Sequence, residues 1–325
     1  ERDAVAAEVA RWKADDLEAA VVAAGGAAAA MHTGAEWEGS EPGRATAGER
    51  PVGFAGDGRP APPLPALAPD APPLAGVRVL DLTRVIAGPT ATRYLAAYGA
   101  QVLRIDPPGF EEVPALLPEV TAGKRCAFLD WSRGDGHARM ETLLAEADVL
   151  VCGLRPDALD RWGWSADELA TRFPALIQVR HSAYGWSGPW AGRRGFDSLV
   201  QMSTGIAAAG AAAADVDRPT PLPVQALDHG LGHLLAAAVA RALTRRVVEG
   251  RACDVRGSLV GVANVVRSVP FVEGDGSATL ADAPLEPGET AWGPLRRVPL
   301  AGSIDGVVPS WSIDAGVLGA AVLAR

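Results

Sequence analysis

Asp228 ends the segment Pro223-Val224-Gln225-Ala226-Leu227-Asp228, just ahead of a stretch patterned as a long helix. A carboxylate there has two uses. It can cap the helix, a position aspartate favours. Desolvated and held against an electrophilic carbonyl, it can instead attack as a nucleophile while N–H donors stabilise the developing oxyanion. Position and residue type alone favour the cap. Basic side chains are a second resource: Arg104, Lys124, Arg125, Arg161 and Arg194 fall near predicted strand ends or loop tips. Singly, each reads as a solvated surface charge; as a convergent group they suit a phosphorylated ligand. Gly88-Pro89, before a predicted helix, lets a ligand approach the backbone and the unpaired N–H groups of a helix start, although a tight packing turn explains the pair more simply. No GxGxxG fingerprint accompanies it. His229 and His233 stand at i, i+4, but two histidines without a third ligand read as ordinary helix residues.

The elements that must position these residues follow from periodicity. Short β-branched runs at 77–82, 102–105, 127–129, 149–152 and 176–179 alternate with helical stretches at 90–97, 138–147 and 166–172. The last helix opens on the capping box Ser165-x-x-Glu168. Parallel strands need crossover helices, so this alternation predicts an α/β fold with a doubly wound parallel sheet. A longer helix is expected over 231–245 and a further strand over 253–259. Before the sheet, residues 3–24 carry helical spacing and stop at Gly25-Gly26, 27–31 could form a strand, and 41–73 is rich in Pro, Gly and Ala. The expected organisation is small-domain-like helix and strand over 1–43, a linker over 44–73, an α/β domain over 74–265, and a tail over 266–325 packing on it.

The 325 residues are 48% hydrophobic and 21% charged, enough to bury a large core in one or two domains. A net charge of −9 disfavours nonspecific nucleic-acid or anionic-membrane binding, so an anionic ligand needs local basic groups. The three cysteines, Cys126, Cys152 and Cys253, show no disulfide or zinc spacing, which fits a reducing cytoplasm. No charge-free apolar run approaches membrane-spanning length, so no membrane partner is expected. The chain starts Glu1-Arg2-Asp3, with no signal-peptide pattern and no initiator methionine, as in a processed or truncated chain.

Taken in order, residues 74–89, 98–109, 123–130, 147–151, Arg155-Pro156, Gly185-x-x-Gly188-Pro189, 194–197, Asp228 and Asp254-Val255-x-Gly257-Ser258-Leu259 closely resemble family III CoA-transferases, the CaiB/BaiF type. The group includes formyl-CoA and carnitine CoA-transferases and α-methylacyl-CoA racemases. The resemblance covers about 190 residues, from Leu74 to Val262, and reverses the preference at Asp228. It implies a Rossmann-like CoA-binding domain in which Asp228 is the catalytic carboxylate, passing through a mixed anhydride and an aspartyl-CoA thioester. It also implies that Val85 and Leu129 line the adenine and ribose site, that Arg104, Lys124, Arg161 and Arg194 surround the nucleotide phosphates, and that the partner is a second copy in an interlocked homodimer. CoA would be substrate, alongside a carboxylic acid acceptor, with no tightly bound cofactor and no metal.

Two rivals stay open. Racemases of the family carry a histidine where this chain has Phe196, ahead of Asp197; without an imidazole, exchange of an α-proton is disfavoured. A catalytically silent CoA-binding or dimer-partner subunit is the other. It draws on the poor substitute that Gly274-Asp275-Gly276 offers for the family's glycine-rich loop, and on small-domain features preceding the CoA-binding half, as in a longer chain without its front or the rear of a duplicated one.

Overall fold

The computed structural model describes residues 2–155, 157–269 and 283–323. In chain order its first elements are α1 (Arg2–Val9), α2 (Ala14–Ala23), α3 (Gly34–Gly39), α4 (Glu41–Thr46), β1 (Val52–Pro60), β2 (Arg78–Leu82), α5 (Ala87–Ala97), β3 (Gln101–Asp106), α6 (Leu117–Val120) and β4 (Lys124–Phe128). There follow α7 (Gly134–Glu146), β5 (Val149–Cys152), α8 (Ala166–Arg172), β6 (Ile177–Ser182), α9 (Asp197–Ser203), α10 (Ile206–Ala213), α11 (Ala226–Glu249), β7 (Arg251–Ser258), α12 (Leu259–Ser268), β8 (Glu286–Gly288) and β9 (Leu295–Arg297). They group into two compact units, one of Glu1–Pro51, His181–Leu231 and Gly257–Pro270, the other of Val52–Arg180, Gly232–Arg256 and Phe271–Arg325. The contiguous 74–265 domain expected from the sequence is therefore crossed by the first unit.

The second unit is built on a seven-stranded sheet of order β1-β7-β6-β5-β2-β3-β4, in which the pairs β6-β5, β5-β2, β2-β3 and β3-β4 are parallel. Their apolar runs are buried: Val79, Leu80, Leu82, Val149, Leu150, Val151, Ile177 and Val179 are all at most 2% exposed. One face packs Leu80, Leu150 and Cys152 against Met140 and Leu144 of α7 and Leu169 of α8. The predicted capping box of α8 forms, with Ser165 and Glu168 each accepting from the other's backbone N–H. In sequence, β2, β3 and β4 step outward one way, and β5 and β6 then step out on the other side of β2. The strand order thus reverses between β2 and β5, and their carboxyl ends flank the crevice where open α/β sheets bind ligands. Leu82 and Cys152 are register partners there.

Several expectations need correction. Residues 52–60 do not belong to a linker but form edge strand β1, fixed by Arg59, which donates to both Asp254 carboxylate oxygens at 2.6 and 2.9 Å. The stretch 3–24 is two helices, α1 and α2, parted at residues 10–13; Val5, Val9 and Trp12 are 46–59% exposed, so no core holds one continuous rod. Residues 27–31 make no strand. Instead the Ala30 N–H is spent on Glu18. The tail carries a small antiparallel hairpin, β8-β9, while Gly274-Asp275-Gly276 lies outside the described residues.

The first unit collects α1 to α4, α9, α10, the start of α11, and α12. Its aromatic centre is Trp37, Tyr184 and Trp190, with Trp190 5.5 Å from Trp37 and 4.9 Å from Tyr184. Arg193 lies over the Trp190 ring at 3.8 Å and pairs with Glu18 at 2.8 Å.

Candidate active site

Asp228 is 8% exposed and sits inside the first turn of α11. The His229 N–H donates to the Gln225 carbonyl, the first bond of the helix, so Gln225 is the cap residue and Asp228 is not. The orphan N–H of Asp228 is instead satisfied across space by Asp197 Oδ2, at 2.9 Å. Asp197, 1% exposed, opens α9 and is held from behind: Gln201 Nε2 donates to its Oδ1, and Gln201 Oε1 accepts the Leu222 N–H at 2.8 Å. Gln201 thereby ties the approach to α11 to the carboxylate that caps it.

Burial, and then the neighbouring Asp197 charge, push the Asp228 carboxyl up to about 7. A helix start favours a carboxylate by about 0.3–1 kcal/mol. That is small against a net rise of this size, at about 1.4 kcal/mol per pH unit. Among the described residues no cation is hydrogen-bonded or ion-paired to Asp228. The result is a desolvated carboxyl beside a second one, titrating near neutrality, which is how a weak nucleophile gains basicity.

A second cluster lies toward the carboxyl ends of β2 and β3, reached by Lys124 from the first position of β4. Asp81, completely buried, receives Lys124 Nζ at 2.9 Å and the hydroxyls of Thr83 and Thr92 at 2.5 and 2.6 Å. Arg104, also fully buried, pairs with Asp106 at 2.8 Å and Glu112 at 3.1 Å, and Arg84 reaches Asp106 at 3.6 Å while lying 3.9 Å over Phe110. Three acids face three bases. Burial raises the Asp81 carboxyl, but Lys124, Arg104 and the two hydroxyls outweigh it and hold it below its ordinary value. Burial lowers Lys124, offset only in part by Asp81.

This network supports the β2-α5 turn. Val85 there has φ +66°, a conformation costly for a β-branched residue. Its N–H donates to Glu112 Oε2, the oxygen that also receives Arg104. A Cβ on Gly88 would come within 2.4 Å of the Thr83 side chain, so only glycine fits the next step of the turn. Nearby Cys126 is buried and its thiol pushed up to about 11, chiefly by that burial, which leaves it inert.

Of the six residues expected around CoA, four are brought together. Val85 and Arg104 share Glu112, Lys124 holds Asp81, and the Leu129 N–H donates to the Asp106 carbonyl while its side chain packs on the core. Arg104 and Lys124 are committed to carboxylates, leaving only Arg104 Nη1 without a partner. Arg161 is exposed over Trp162, and Arg194 is exposed in the other unit. A cavity of the second unit, about 1140 Å³, opens at the amino end of β2 near Val77 and Arg78 and is walled by apolar residues such as Leu67, Ala236 and Val247. It is an apolar groove at the opposite edge from the strand-order reversal. Among the described residues no group of three or more His, Cys, Asp and Glu is arranged to hold a metal, and no helix is long and apolar enough to cross a membrane.

Comparison with known proteins gives the family. Residues 74–287 match CoA-transferase family III. The chain is 34% identical over 189 residues to an acetyl-coenzyme A transferase of Hypoxylon pulicicidum, covering 56% of this chain and 32% of that protein. It is 32% identical over 207 residues to a formyl-CoA:oxalate CoA-transferase of Rhodopseudomonas palustris, covering 60% and 48%. The crystal structure of Rv3272 from Mycobacterium tuberculosis superimposes with a TM-score of 0.54 at 33% identity, over 61% of this chain and 57% of that one. A CaiB/BaiF family protein from Brucella suis gives 0.51 at 25% identity, over 69% and 65%. The chain thus spans about a third to a half of the length of the curated relatives it matches. With the match covering most of the sequence, the chain belongs to CoA-transferase family III.

Proposed function

We propose that this chain moves CoA from an acyl-CoA thioester to a carboxylic acid, with Asp228 as nucleophile. The observation that carries the reading is the buried Asp228–Asp197 pair, in which Asp228 is desolvated, oriented through its own N–H, and poised near neutral pH.

In the proposed sequence a carboxylate oxygen of Asp228 attacks the thioester carbonyl carbon. The C–S bond breaks, leaving CoA thiolate and a mixed anhydride. The thiolate attacks the aspartyl carbonyl, expelling the donor acid as its carboxylate and leaving aspartyl-CoA. The acceptor carboxylate attacks that thioester, the thiolate leaves again, and its attack on the acceptor's carbonyl frees Asp228. No proton is gained or lost overall. Desolvation favours each step because the attacking carboxylate is not shielded by water.

For the nucleotide we propose the carboxyl edge of the sheet beside β2 and β5, with Val85 and Leu129 as apolar walls. Arg104 and Lys124 act through the acids they neutralise, shaping the turn. Their donors are already spoken for, so Arg161, Arg194 or another cation must face the phosphates. Assembly as a homodimer and a cytoplasmic location are part of the same proposal and rest on the family likeness and the cysteine pattern.

Phe196, at the start of α9 and 51% exposed, brings no proton-transfer group, which disfavours a racemase. Intact-protein mass spectrometry after mixing the chain with a panel of acyl-CoAs tests the reading. A CoA-sized adduct, removed by hydroxylamine and absent in Asp228→Ala, is expected. CoA binding with no adduct would turn the assignment toward a silent subunit, and solvent deuterium exchange at the α-carbon without an adduct would turn it toward a racemase.

A further inference from the structure

Arg180 makes the last register pair of β6 with β5, as partner of Cys152. It therefore stands one strand from the place where the strand order reverses, at the carboxyl edge. Its Nε and Nη2 are buried, and neither has a hydrogen-bond partner. Among the described residues no carboxylate pairs with it and no carbonyl accepts from it. Arg93, Arg104 and Arg193 also leave one nitrogen each without a partner, yet each has a carboxylate: Glu119, Asp106 with Glu112, and Glu18. Arg139 has no such pair either, but it sits on α7 and leaves one nitrogen, not two.

A half-buried guanidinium in that state is costly, because two of its three nitrogens are removed from water and given nothing in return. A chain that needed only to fold would do better with an aliphatic residue there. The neighbouring acids do not rescue it: Asp81, Asp106 and Glu112 are matched by Lys124, Arg104 and Arg84. The charge-balanced cluster offers an incoming anion no net attraction, whereas Arg180 offers two donors already desolvated and at fixed spacing, the geometry that matches phosphate or carboxylate oxygens. Cys152 beside it is pushed up by burial and stays a neutral thiol, so it does not compete as an anion.

We infer that Arg180 is a substrate-binding residue whose guanidinium receives an anionic oxygen, phosphate or carboxylate, of the bound acyl-CoA. The inference rests on the CoA-handling reading above and adds to it the cation that Arg104 and Lys124 cannot supply.

Isothermal titration of wild type, Arg180→Leu and Arg180→Met with CoA, acetyl-pantetheine and succinyl-pantetheine tests it, alongside thermal unfolding of each variant. Loss of charged hydrogen bonds predicts roughly ten- to hundredfold weaker binding of CoA, if the anion is a phosphate, or of succinyl-pantetheine, if it is the acyl carboxylate. The melting temperature should hold or rise, since no internal bond is lost. If acetyl-pantetheine binds all three proteins equally while CoA discriminates, the anion is a phosphate. If succinyl-pantetheine alone discriminates among the pantetheines, it is the acyl carboxylate. Unchanged affinity for both CoA and succinyl-pantetheine in both variants would overturn the inference while leaving the CoA-handling reading intact, and so would a lowered melting temperature in both, which would mark Arg180 as structural. A wild type that binds none of the three probes would refute both readings.

Discussion

The two acidic clusters of this chain are opposites. Toward the carboxyl ends of β2 and β3, three buried acids meet three bases, and every acid accepts several hydrogen bonds. Around α11, Asp228 and Asp197 are buried together, and among the described residues they meet N–H donors and no ion-paired cation. A balanced network spends its charge on holding a shape: its bases hold the Asp81 carboxyl below its ordinary value, although burial still raises Asp106. An unbalanced pair cannot ionise fully without repulsion, so one member rises toward neutral pH and stays chemically available. The same residue type is structural in one setting and reactive in the other, and what separates them is the count of cations within reach.

Breaking the balanced side should give the largest effect. Lys124→Met removes the cation from completely buried Asp81, leaving two hydroxyls and an N–H against an unpaired charge. Loss of one partner of a buried pair costs about 3–5 kcal/mol. Urea denaturation should show that loss, with Lys124→Met plus Asp81→Leu recovering much of it. A Lys124→Met variant as stable as wild type would mean the network is not what holds the sheet edge.

The unbalanced side predicts the reverse sign. Asp228 titrates at 3.8 when unperturbed and near 7 in the fold, so the folded chain keeps a proton that the unfolded chain releases. Stability must then fall as pH rises from about 4 to about 7, and level off above, because the unfolded state binds fewer protons across that window. Asp228→Asn removes the ionisation. Its gain should be absent near pH 4 and reach the order of 4 kcal/mol by pH 8, at about 1.4 kcal/mol per unit. Equal denaturation midpoints for the two proteins at pH 8 would show that Asp228 is not a desolvated acid.

How far the sequence foretold these clusters follows from what each depends on. Strands β2, β3, β5 and β6 were legible from their apolar, largely buried runs, whereas β4, Lys-Arg-Cys-Ala-Phe, has no β-branched residue and was caught only at its end. Strand β1 was not: Gly53, Gly56 and Gly58 with a terminal Pro60 carry no strand propensity, and the Arg59–Asp254 pair that fixes it is 195 residues apart in sequence. Helix α10, Ile-Ala-Ala-Ala-Gly-Ala-Ala-Ala, has no polar face to reveal a period. The position of Asp228 was readable, but its cap partner Asp197, 31 residues upstream, and the Gln201 clamp were not, since neither has a spacing signature. Arg104 and Lys124 looked like phosphate ligands because their charge was visible and their partners were not. The Arg104-x-Asp106 spacing, which puts both on one face of β3, was the available warning. Arg180 carried no signal at all, because an orphaned guanidinium exists only once the neighbours are placed.

The smallest effect tests what the balanced network is for. Val85 pays for its positive φ with about 1–2 kcal/mol, and Glu112, anchored by Arg104, holds its N–H in place. Val85→Gly relieves that strain, but glycine also loosens the unfolded chain by about 0.4–1 kcal/mol, so the net gain should be near 0.5 kcal/mol. Glu112→Gln in the same background separates the contributions: it keeps an acceptor for the Val85 N–H and removes the charge facing Arg104. If the network exists to hold the strained turn, CoA affinity should fall in Val85→Gly although stability rises, because a flexible turn must be ordered again on binding. If affinity and stability rise together, the strain serves no ligand, and the three acids and three bases at this edge only hold the sheet together.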